Sequence, residues 1–385
     1  MIHLINMTDW LDRAEALDAL GIRAQTLYAY VSRGLIEARR APGGRRSQYR
    51  AADVAALADR RGRSRASAAI AAGAMAWGEP SVVTAISTVH RGSLIYRGRD
   101  AVAFARDASL EATADLLWDS PEPTLFDVPA GAAATPFLAL AGLLQDAEAA
   151  LGRGHHRLCR DARRAVAHLA GACGIPEGRA PLHQGLARLW SLDAATADRV
   201  RQALVLLADH ELNASTFATR VAASTGAPIA ACLMAGLSAL SGPRHGGAAA
   251  AVLRLVDEAA ATGPRAAVRA CLDRGGALPG FGHPLYPEGD VRAAALGAVL
   301  PADPLLDAVR DCAAEATGAR PNIDFALTAL VRTAGLPRSA PFTIFLLGRS
   351  LGWAAHAMEQ GRQGSLIRPR ARYEGRRGPA DRAGS

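Results

Sequence analysis

The chain has 385 residues, which is long enough for two or three compact units. Half of the residues are hydrophobic and 21% are charged, a globular composition that excludes a largely disordered chain. The formal net charge is +8, and the sequence contains no lysine, so arginine alone supplies the basic side chains. The absence of lysine excludes a lysine Schiff base and any phosphate-binding loop that depends on lysine.

The arginines are concentrated in the first 65 residues and in the last 25. A basic surface of this kind can bind nucleic acid, or anionic small molecules such as carboxylates and CoA phosphates. Many of these side chains can equally belong to an ordinary solvated surface. The charge alone therefore leaves the type of partner open.

Five cysteines lie far apart, without a Cys-x-x-Cys pair, and predict reduced thiols rather than a zinc site or a disulfide framework. Residues 1–10 lack the pattern of an export signal, so we expect a cytoplasmic protein. The uncharged segment from Ser224 to Gly242 is about long enough to span a bilayer. Its proline and glycines favour a helix that is buried in the protein or in a subunit interface.

The first predicted unit is a small module at residues 1–62. Ala14, Leu17 and Leu20 have helical spacing, and a second short helix is predicted from Ala24 to about Ser32. A basic stretch at residues 39–46 contains glycine and proline and predicts a hairpin. A third helix is predicted near Asp53, which is a suitable N-cap residue.

This order of elements is that of a winged helix-turn-helix domain, and residues 20–36 resemble the DNA-binding modules of MerR-like and excisionase-like proteins. In such modules the second helix enters the major groove and basic loops contact phosphates. The candidate DNA-binding residues are Arg23, Gln25, Thr26, Tyr28, Arg45 and Arg46. A docking or dimer-supporting appendage is the alternative interpretation.

Residues 63–81 are rich in small and charged residues and are predicted to form a linker. From Val82 onward, alanine- and leucine-rich patterns predict a mainly α-helical region with at least ten helices. The stretch at residues 92–98 is an exception, because its position between glycines predicts a short hairpin-like strand.

Four polar clusters interrupt this apolar region. They lie at residues 208–215 around His210, 241–247 around His245, 279–292 around His283 and 321–325 around Asp324. Each histidine alone could be a turn or cap residue, but neighbouring glycines let the backbone approach a ligand closely. Metal binding would require histidines and carboxylates at short helical spacing, which these clusters do not offer.

Arginines in apolar sequence add to this pattern. Arg349 lies inside a helical, largely apolar stretch, and Arg368 lies near the C-terminus. An arginine in such a setting usually pairs with a carboxylate of the protein or of a ligand. Arginines and histidines together with one aspartate therefore suggest a site for a polyanionic acid, in which the aspartate can act as a base.

The four clusters, in this order, closely resemble the citrate synthase family. The resemblance spans about Val82 to Gly375, from the Gly92–Asp100 segment to the Ile367–Gly375 segment. It implies a mainly α-helical, two-domain citrate synthase-like fold that works as a homodimer, with the active site in the cleft between the domains. The implied large domain comprises residues 82–245 and 331–375, the small domain residues 246–330, and a flexible tail residues 376–385.

The resemblance also implies roles for individual residues. His245 would hydrogen-bond the thioester oxygen of the acyl-CoA, Asp324 would remove the methyl proton, and His283 would polarise the ketone of oxaloacetate. The diacid would be held by His210, Arg292, Arg349 and, from the other subunit, Arg368. The segment expected to bind CoA consists of Pro279, Gly280, Phe281 and Gly282. The resemblance implies neither a metal nor a redox cofactor.

The sequence departs from the family pattern after His283, where Pro284 and Pro287 replace two residues that are often basic. This removes two positive charges from a region expected near the CoA phosphates, so the acyl-chain preference stays open. Citrate formation from acetyl-CoA is the first interpretation, and 2-methylcitrate formation from propionyl-CoA or a citryl-CoA lyase-type activity are alternatives. A DNA-binding regulator whose citrate synthase-like body senses CoA esters or diacids belongs to a different class.

Overall fold

The structure is a computed structural model of the chain. It describes residues 10–20, 27, 30–31, 36–40, 47–55, 82–274 and 277–369. The chain forms two compact units, and the second of these spans Thr84–Pro369. Within the described residues, no helix is both long enough and apolar enough to cross a membrane.

The described part of the first unit contains a helix and a three-stranded antiparallel sheet. Helix α1 spans Arg13–Leu20, and the strands are β1 (Trp10–Leu11), β2 (Ala38–Arg40) and β3 (Ser47–Arg50), in the order β1-β3-β2. The pairing of β2 with β3 agrees with the predicted basic hairpin.

Part of the module prediction differs from the structure or lies outside it. Residues 51–55 are helical, so Asp53 lies within this helix and is not its N-cap. Its carboxylate instead accepts a hydrogen bond from the Glu37 backbone N–H at 2.9 Å. Most of the predicted second helix, the linker at 63–81 and the six candidate DNA-binding residues lie outside the described residues. The helix-turn-helix assignment stays a prediction.

The second unit opens with a small antiparallel sheet. Its strands are β4 (Ser87–His90), β5 (Ser93–Tyr96) and β6 (Arg99–Asp100). Arg91 and Gly92 connect β4 to β5 with φ angles of +50° and +79°, which suits the tight turns that favour glycine. Strand β5 confirms the strand that was predicted between the glycines.

The remainder of the second unit is α-helical, as the sequence pattern predicts. The described residues from 84 to 369 form fourteen helices: α2 (Ala101–Ala105), α3 (Leu110–Trp118), α4 (Pro136–Leu144), α5 (His155–Ala172), α6 (Leu182–Trp190), α7 (Ala194–Leu206), α8 (Ala214–Ser224), α9 (Ile229–Leu240), α10 (Ala248–Thr262), α11 (Pro264–Asp273), α12 (Val291–Gly297), α13 (Pro304–Thr317), α14 (Ile323–Ala334) and α15 (Ala340–Gln363). Helix α9 lies in the segment that was expected to be buried, and Cys232, Leu233 and Leu237 are fully buried there.

The buried side chains of the second unit form two hydrophobic clusters. The larger one, here called the first core, is formed by side chains of every helix from α2 to α9 and by side chains of α10, α12, α14 and α15. The smaller one, the second core, is formed by Val252, Leu255, Val256, Ala259, Ala267, Val268, Leu278, Phe281, Leu306, Val309, Ala313 and Phe325. The second core falls within the expected small domain, whereas α12 packs against the first core. The expected domain boundaries stay predictions.

Helix α15 positions much of the candidate site because it runs through the first core. Two glycines allow it to approach the end of α7 closely. A Cβ atom on Gly348 would lie 2.7 Å from the Leu204 carbonyl oxygen, and the Gly352 N–H donates to the Ala208 carbonyl at 3.1 Å. This contact brings the polar side chains of α15 next to the loop that follows α7.

Candidate active site

The loop between α7 and α8 carries Asp209, His210 and Glu211. His210 is only 5% exposed. Its Nε2 atom lies 3.0 Å from the hydroxyl oxygen of Tyr286, and its ring centroid lies 5.0 Å from that of His283. Burial, followed by the charges of nearby arginines, holds the pKa of His210 well below its usual value. His210 is therefore neutral at physiological pH.

A serine of β4 holds this loop on both sides of His210. The hydroxyl of Ser87 donates to Asp209 Oδ2 at 2.5 Å and accepts the Glu211 backbone N–H at 3.0 Å. The hydroxyl of Tyr96 lies 3.1 Å from the Asp209 carbonyl oxygen. Glu211 has a φ angle of +50°, a left-handed conformation that non-glycine residues rarely adopt without such support.

A buried network of charged side chains lies beneath the loop. Asp209 Oδ2 also accepts from His356 Nε2 at 3.1 Å, and His356 Nδ1 lies 3.0 Å from NH1 of Arg220. Because Arg220 can only donate, Nδ1 is the acceptor and the His356 proton lies on Nε2. Arg220 also forms a 2.7 Å ion pair with Glu359. Burial raises the pKa of Asp209, but His356 and Arg349 outweigh this effect and the carboxylate stays ionised.

Arg349 of α15 extends this network toward the site. It is 1% exposed, and its Nε donates to the Leu207 carbonyl at 2.9 Å. Its guanidinium carbon lies 4.8 Å from the centre of the Phe345 ring. Burial lowers the pKa of Arg349 to about 10, so the side chain is still charged at neutral pH. A buried cation of this kind suits an anionic ligand.

His245 lies between α9 and α10, and its Nε2 atom is 2.8 Å from the hydroxyl oxygen of Ser215. Burial and then Arg349 lower its pKa to about 4, so the ring is neutral at pH 7. The Trp353 indole N–H, which can only donate, lies 3.1 Å from the same hydroxyl. Ser215 can then donate to His245 or to Asn213 Oδ1 at 2.7 Å. When it donates to His245, the imidazole proton lies on Nδ1.

Backbone hydrogen bonds tie the segment before His283 to the residues before α14. Gly280 and Gly282 have φ angles of +83° and +72°, and a Cβ atom on Gly280 would lie 2.9 Å from Val252. The Gly282 N–H donates to the Arg320 carbonyl, and the Asn322 N–H donates to the Gly280 carbonyl, both at 2.8 Å. These bonds hold His283 close to the start of α14.

The hydrogen bonding of His283 fixes its tautomer. Its Nδ1 atom accepts the Leu285 backbone N–H at 3.2 Å. Burial, followed by the charge of Arg292, lowers the pKa of His283 to about 4, so the ring is neutral. A neutral imidazole that accepts at Nδ1 carries its proton at Nε2. His283 can therefore donate a hydrogen bond from Nε2.

Asp290 connects the arginine of this segment to α14. It accepts from Arg292 Nε at 3.0 Å and from Arg292 NH2 at 2.8 Å, and both side chains are buried. Its Oδ2 atom also accepts the Ile323 N–H at 3.0 Å. Burial raises the pKa of Asp290, but Arg292 outweighs this effect and keeps the carboxylate ionised. The aspartate thus joins a buried cation to the first turn of α14.

Asp324 lies in the first turn of α14, where its N–H donates to the side chain of Asn322 at 3.0 Å. Burial raises the pKa of Asp324 to about 6; Arg292 opposes this rise and Asp290 adds to it. A carboxylate with this pKa is ionised at neutral pH and is a stronger base than an ordinary aspartate.

The structure thus brings most of the predicted site residues together. His210 and His283 are in ring contact, Asp290 links Arg292 to the helix of Asp324, and Phe345 contacts both His245 and Arg349. Within the expected CoA-binding segment, the Phe281 ring packs against Phe325 in the second core.

Arg368 is not part of this assembly. It lies in an exposed segment after α15, and within the described residues it forms no hydrogen bond or ion pair. The resemblance assigned this arginine to the site of a second subunit, and that role stays a prediction.

Comparisons with known proteins identify the family of the chain. A model of the citrate synthase C-terminal domain matches residues 154–370, which is more than half of the chain. The chain belongs to the citrate synthase family. Among solved structures, the crystal structure of citrate synthase from Thermotoga maritima has a TM-score of 0.65 and 25% identity, and the match covers 79% of this chain and 97% of that chain.

Several curated members of the citrate synthase family match part of the sequence. Putative citrate synthase 2 of Mycobacterium tuberculosis is 42% identical in an alignment of 184 residues, and the match covers 44% of this chain and 49% of the relative. The 2-methylcitrate synthase of Mycobacterium tuberculosis is 36% identical in an alignment of 194 residues, and the match covers 48% of this chain and 49% of the relative. The chain spans about half the length of the curated relatives it matches.

Asp209, Ser215, Tyr286 and Asp290 lie in the polar clusters that the sequence predicts, but no role was predicted for them. Several side chains thus hold the candidate site together without a predicted role. They are Ser87, Asp209, Ser215, Tyr286, Asp290, Trp353 and His356. Two local signals could have revealed some of them. Asp290 precedes Arg292 by two residues, and His356 is followed by Glu359 and Gln360 on one face of an otherwise apolar helix.

Proposed function

We propose that the protein is an acyl-CoA:oxaloacetate condensing enzyme, which forms citrate and CoA from acetyl-CoA, oxaloacetate and water. The observation that carries this proposal is the position of Asp324, a carboxylate with a pKa of about 6, on a helix that Asp290 ties to Arg292. A base and an anion-binding arginine are thereby joined in one small assembly, beside two neutral histidines.

The oxaloacetate carboxylates are bound by arginines. Two carboxylates call for several directed N–H donors, which guanidinium groups supply. Arg349 contributes a buried cation from the first core. Arg292 donates to Asp290 from its Nε atom and once from its NH2 atom. The remaining N–H groups of the guanidinium can therefore donate to the ligand. His210 supplies a neutral imidazole beside them.

Asp324 removes a proton from the methyl carbon of the acyl-CoA. This proton is weakly acidic, so the developing enolate requires a donor at the thioester oxygen. His245 supplies that donor from Nδ1 when Ser215 donates to its Nε2 atom. Because the ring is neutral, it stabilises the enolate oxygen by hydrogen bonding, without an added positive charge.

The enolate carbon then attacks the ketone carbon of oxaloacetate. The ketone oxygen gains electrons as the new C–C bond forms, and the Nε2–H of His283 stabilises the alkoxide by hydrogen bonding. The alkoxide then takes a proton from water, and the proton that Asp324 removed returns to the solvent, so no net proton is gained or lost in the condensation. Water hydrolyses the resulting citryl thioester, which releases citrate and CoA. The proposed reaction involves neither a metal nor a redox cofactor. Holding both substrates in one cleft supplies a large effective molarity.

Two related activities use the same residues. Propionyl-CoA would give 2-methylcitrate, and the reverse reaction would cleave citryl-CoA. The similarity to relatives named citrate synthase and 2-methylcitrate synthase supports both acyl groups. Of the two acyl-CoA substrates, we propose acetyl-CoA as the first choice and propionyl-CoA as the second.

Release of the CoA thiol on mixing the protein with oxaloacetate and acetyl-CoA tests the proposal, with propionyl-CoA in parallel. We expect Asp324→Asn to lower the rate by about 10²–10⁴-fold. The matched control is Asp311→Asn, which alters an exposed carboxylate on α13 and should leave the rate unchanged. If the wild type binds oxaloacetate but releases no thiol with either acyl-CoA, the condensing function is wrong.

We propose further that the enzyme is a homodimer in which Arg368 completes the site of the partner subunit. Its exposure after α15 supports this role, because Arg368 has no ion-pair partner among the described residues of its own chain. Mixing Asp324→Asn with Arg368→Ala subunits is the test. Recovered activity after subunit exchange supports a shared site, and no recovery despite exchange contradicts it.

The first unit is proposed to bind DNA. The support is its basic β2–β3 hairpin next to a helical segment with its own small core. Fluorescence anisotropy with duplex DNA at several salt concentrations tests this, because phosphate contacts make the affinity fall steeply with salt. We expect weaker binding for Arg45→Ala/Arg46→Ala. Absence of DNA binding at low salt would favour the docking role of the first unit instead.

The alternative function is a DNA-binding regulator that senses diacids without converting them. It would be supported if oxaloacetate changes the affinity for DNA and the protein shows no turnover.

A further inference from the structure

Tyr286 lies at the centre of the predicted diacid site. It is 3% exposed, and it contacts three residues that were predicted to bind or polarise oxaloacetate. Its hydroxyl oxygen is 3.0 Å from His210 Nε2, its ring centroid is 5.2 Å from that of His283, and the guanidinium carbon of Arg292 is 5.5 Å from the ring centre. A single side chain thus connects three site residues.

The backbone around Tyr286 is itself well held. The Tyr286 N–H donates to the His283 carbonyl at 2.9 Å, and the Gly289 N–H donates to the Tyr286 carbonyl at 3.0 Å. These bonds form a turn between His283 and Asp290. The phenol is therefore presented from a fixed segment, and its direction toward His210 does not depend on a long flexible loop.

The hydrogen bond between Tyr286 and His210 joins two neutral groups. Burial raises the pKa of Tyr286 to about 12, and burial lowers that of His210. Such a bond contains one proton, and an imidazole nitrogen is a better acceptor than a phenol oxygen. The phenol therefore donates to Nε2, and the proton of His210 lies on Nδ1. This arrangement leaves an N–H on Nδ1 as the hydrogen-bond donor of His210.

The two partners belong to different parts of the second unit. His210 lies in the loop after α7, which the first core supports, and Tyr286 follows the segment that Phe281 anchors in the second core. The hydrogen bond consequently joins residues that are 76 positions apart. Through Tyr286, the bond aligns His210 with His283 and Arg292.

We propose that Tyr286 is a positioning residue of the diacid site, which fixes the tautomer of His210 and aligns it with His283 and Arg292. This inference rests on the proposed function, because it takes oxaloacetate as the ligand of that site. Tyr286 acts through His210 and does not itself take part in proton transfer.

Tyr286→Phe tests the proposal because it keeps the ring and removes only the hydroxyl. We expect the KM for oxaloacetate to rise about five- to tenfold, which is the usual effect of losing one buried hydrogen bond. The kcat and the KM for acetyl-CoA should change little, while loss of the buried hydrogen bond should lower the free energy of unfolding by about 1 kcal/mol. Tyr30→Phe, a substitution in the first unit, is the matched control. An unchanged KM for oxaloacetate would overturn the proposal.

A double-mutant cycle separates action through His210 from direct contact with the substrate. The four proteins are the wild type, Tyr286→Phe, His210→Asn and the double variant. If Tyr286 acts through His210, the substitution Tyr286→Phe has no further effect on the KM for oxaloacetate once His210 is replaced. Independent, multiplicative effects in the double variant would overturn the positioning role.

Calorimetric binding of oxaloacetate separates this inference from the proposed reaction. If the wild type binds oxaloacetate without releasing thiol, the condensing function fails, and the Kd ratio of Tyr286→Phe to wild type still decides the role of Tyr286. A five- to tenfold ratio supports it, and a ratio of one overturns it. If the wild type does not bind oxaloacetate, both proposals are wrong.

Discussion

The two sides of the candidate active site are held in different ways. On the side of the first core, His210 and Arg349 rest on a network of buried charges that runs from Asp209 to Glu359. On the side of the second core, two short segments are joined by backbone hydrogen bonds, and Asp290 is the main charged link. His210 and Arg349 are thus held by several buried charges, whereas Asp324 depends on the local charge around one helix start.

The largest effect should come from breaking the buried network. Arg220→Met leaves Glu359 without its cation and His356 without its donor, and we expect a loss of about 3–5 kcal/mol in the free energy of unfolding. Chemical denaturation measures it. The control is Arg265→Met, which removes an exposed ion pair with Glu315 and should change stability little. Equal effects of the two substitutions would mean that the buried charges add no stability of their own.

The close approach of α15 to the loop after α7 gives the next largest effect. A Cβ atom on Gly352 would lie 2.5 Å from the Ala208 carbonyl oxygen and closer still to Asp209 Oδ1. We expect Gly352→Ala to cost about 1–3 kcal/mol, because backbone on both sides has to shift, and to raise the KM for oxaloacetate. Thermal melting and kinetics measure both effects.

Gly361 of the same helix is the matched control for Gly352. Nothing lies within 4 Å of a Cβ atom at this position. Gly361→Ala should therefore stabilise the helix by about 0.5–1 kcal/mol. A Gly352→Ala variant that is as stable as Gly361→Ala would contradict the close packing beneath His210.

The sequence selects the candidate site residues more readily than it selects the side chains that support them. Histidines and an aspartate in glycine-rich breaks of an apolar helical pattern are local signals, so His210, His245, His283 and Asp324 could be selected from short windows. The bonds that hold them join distant positions: Ser87 and Asp209 are 122 residues apart, and Asp209 and His356 are 147 apart. Periodicity carries no information on such pairs, because they exist only after the helices have packed.

The difference between local sequence signals and contacts between distant residues also explains which fold predictions were correct. Strand β5 and helix α1 follow from local spacing, and both were predicted. Asp53 was predicted as an N-cap because aspartate favours that position, but its carboxylate bonds to the backbone of Glu37 instead. A tertiary hydrogen bond there overrides a local preference.

On the side of the second core, charge rather than packing should control activity. Asp324 has to be ionised to act as a base, so kcat/KM should rise as the pH passes through about 6. Asp290 raises the pKa of Asp324 and Arg292 lowers it. Asp290→Asn removes the negative charge that raises the pKa of Asp324 and leaves the positive charge of Arg292, which lowers it. The rise of kcat/KM on the acidic side of the pH profile, its acid limb, should therefore move to lower pH. Asp257→Asn, in an exposed pair with Arg338, is the control. An acid limb that stays in place would show that Asp290 does not set the pKa of the base.

Ionisation of Asp324 should also cost stability. Its pKa is about 6 in the folded protein, whereas the ordinary pKa of an aspartate, which applies to the unfolded chain, is 3.8. The folded state therefore binds the proton more tightly, and stability is lost as the pH rises from about 3.8 through 6. Asp324→Asn removes this loss, so the variant should melt at a higher temperature than the wild type at about pH 7.5 and at the same temperature below pH 3.8. A variant that melts lower at neutral pH would contradict the raised pKa.

The smallest effect is expected from Ser87, which shows whether the loop of His210 depends on β4 as well as on the buried charges. Ser87→Ala removes one donor to Asp209 and one acceptor for the Glu211 N–H, and we expect a loss of about 1–2 kcal/mol and a severalfold higher KM for oxaloacetate. Ser238→Ala, which removes an exposed hydroxyl bonded within α9, should do neither. If Ser87→Ala lowers stability but leaves the KM unchanged, His356 and Tyr96 suffice to hold His210. The loop of His210 would then be held by the buried charges and Tyr96 alone, without a contribution from β4.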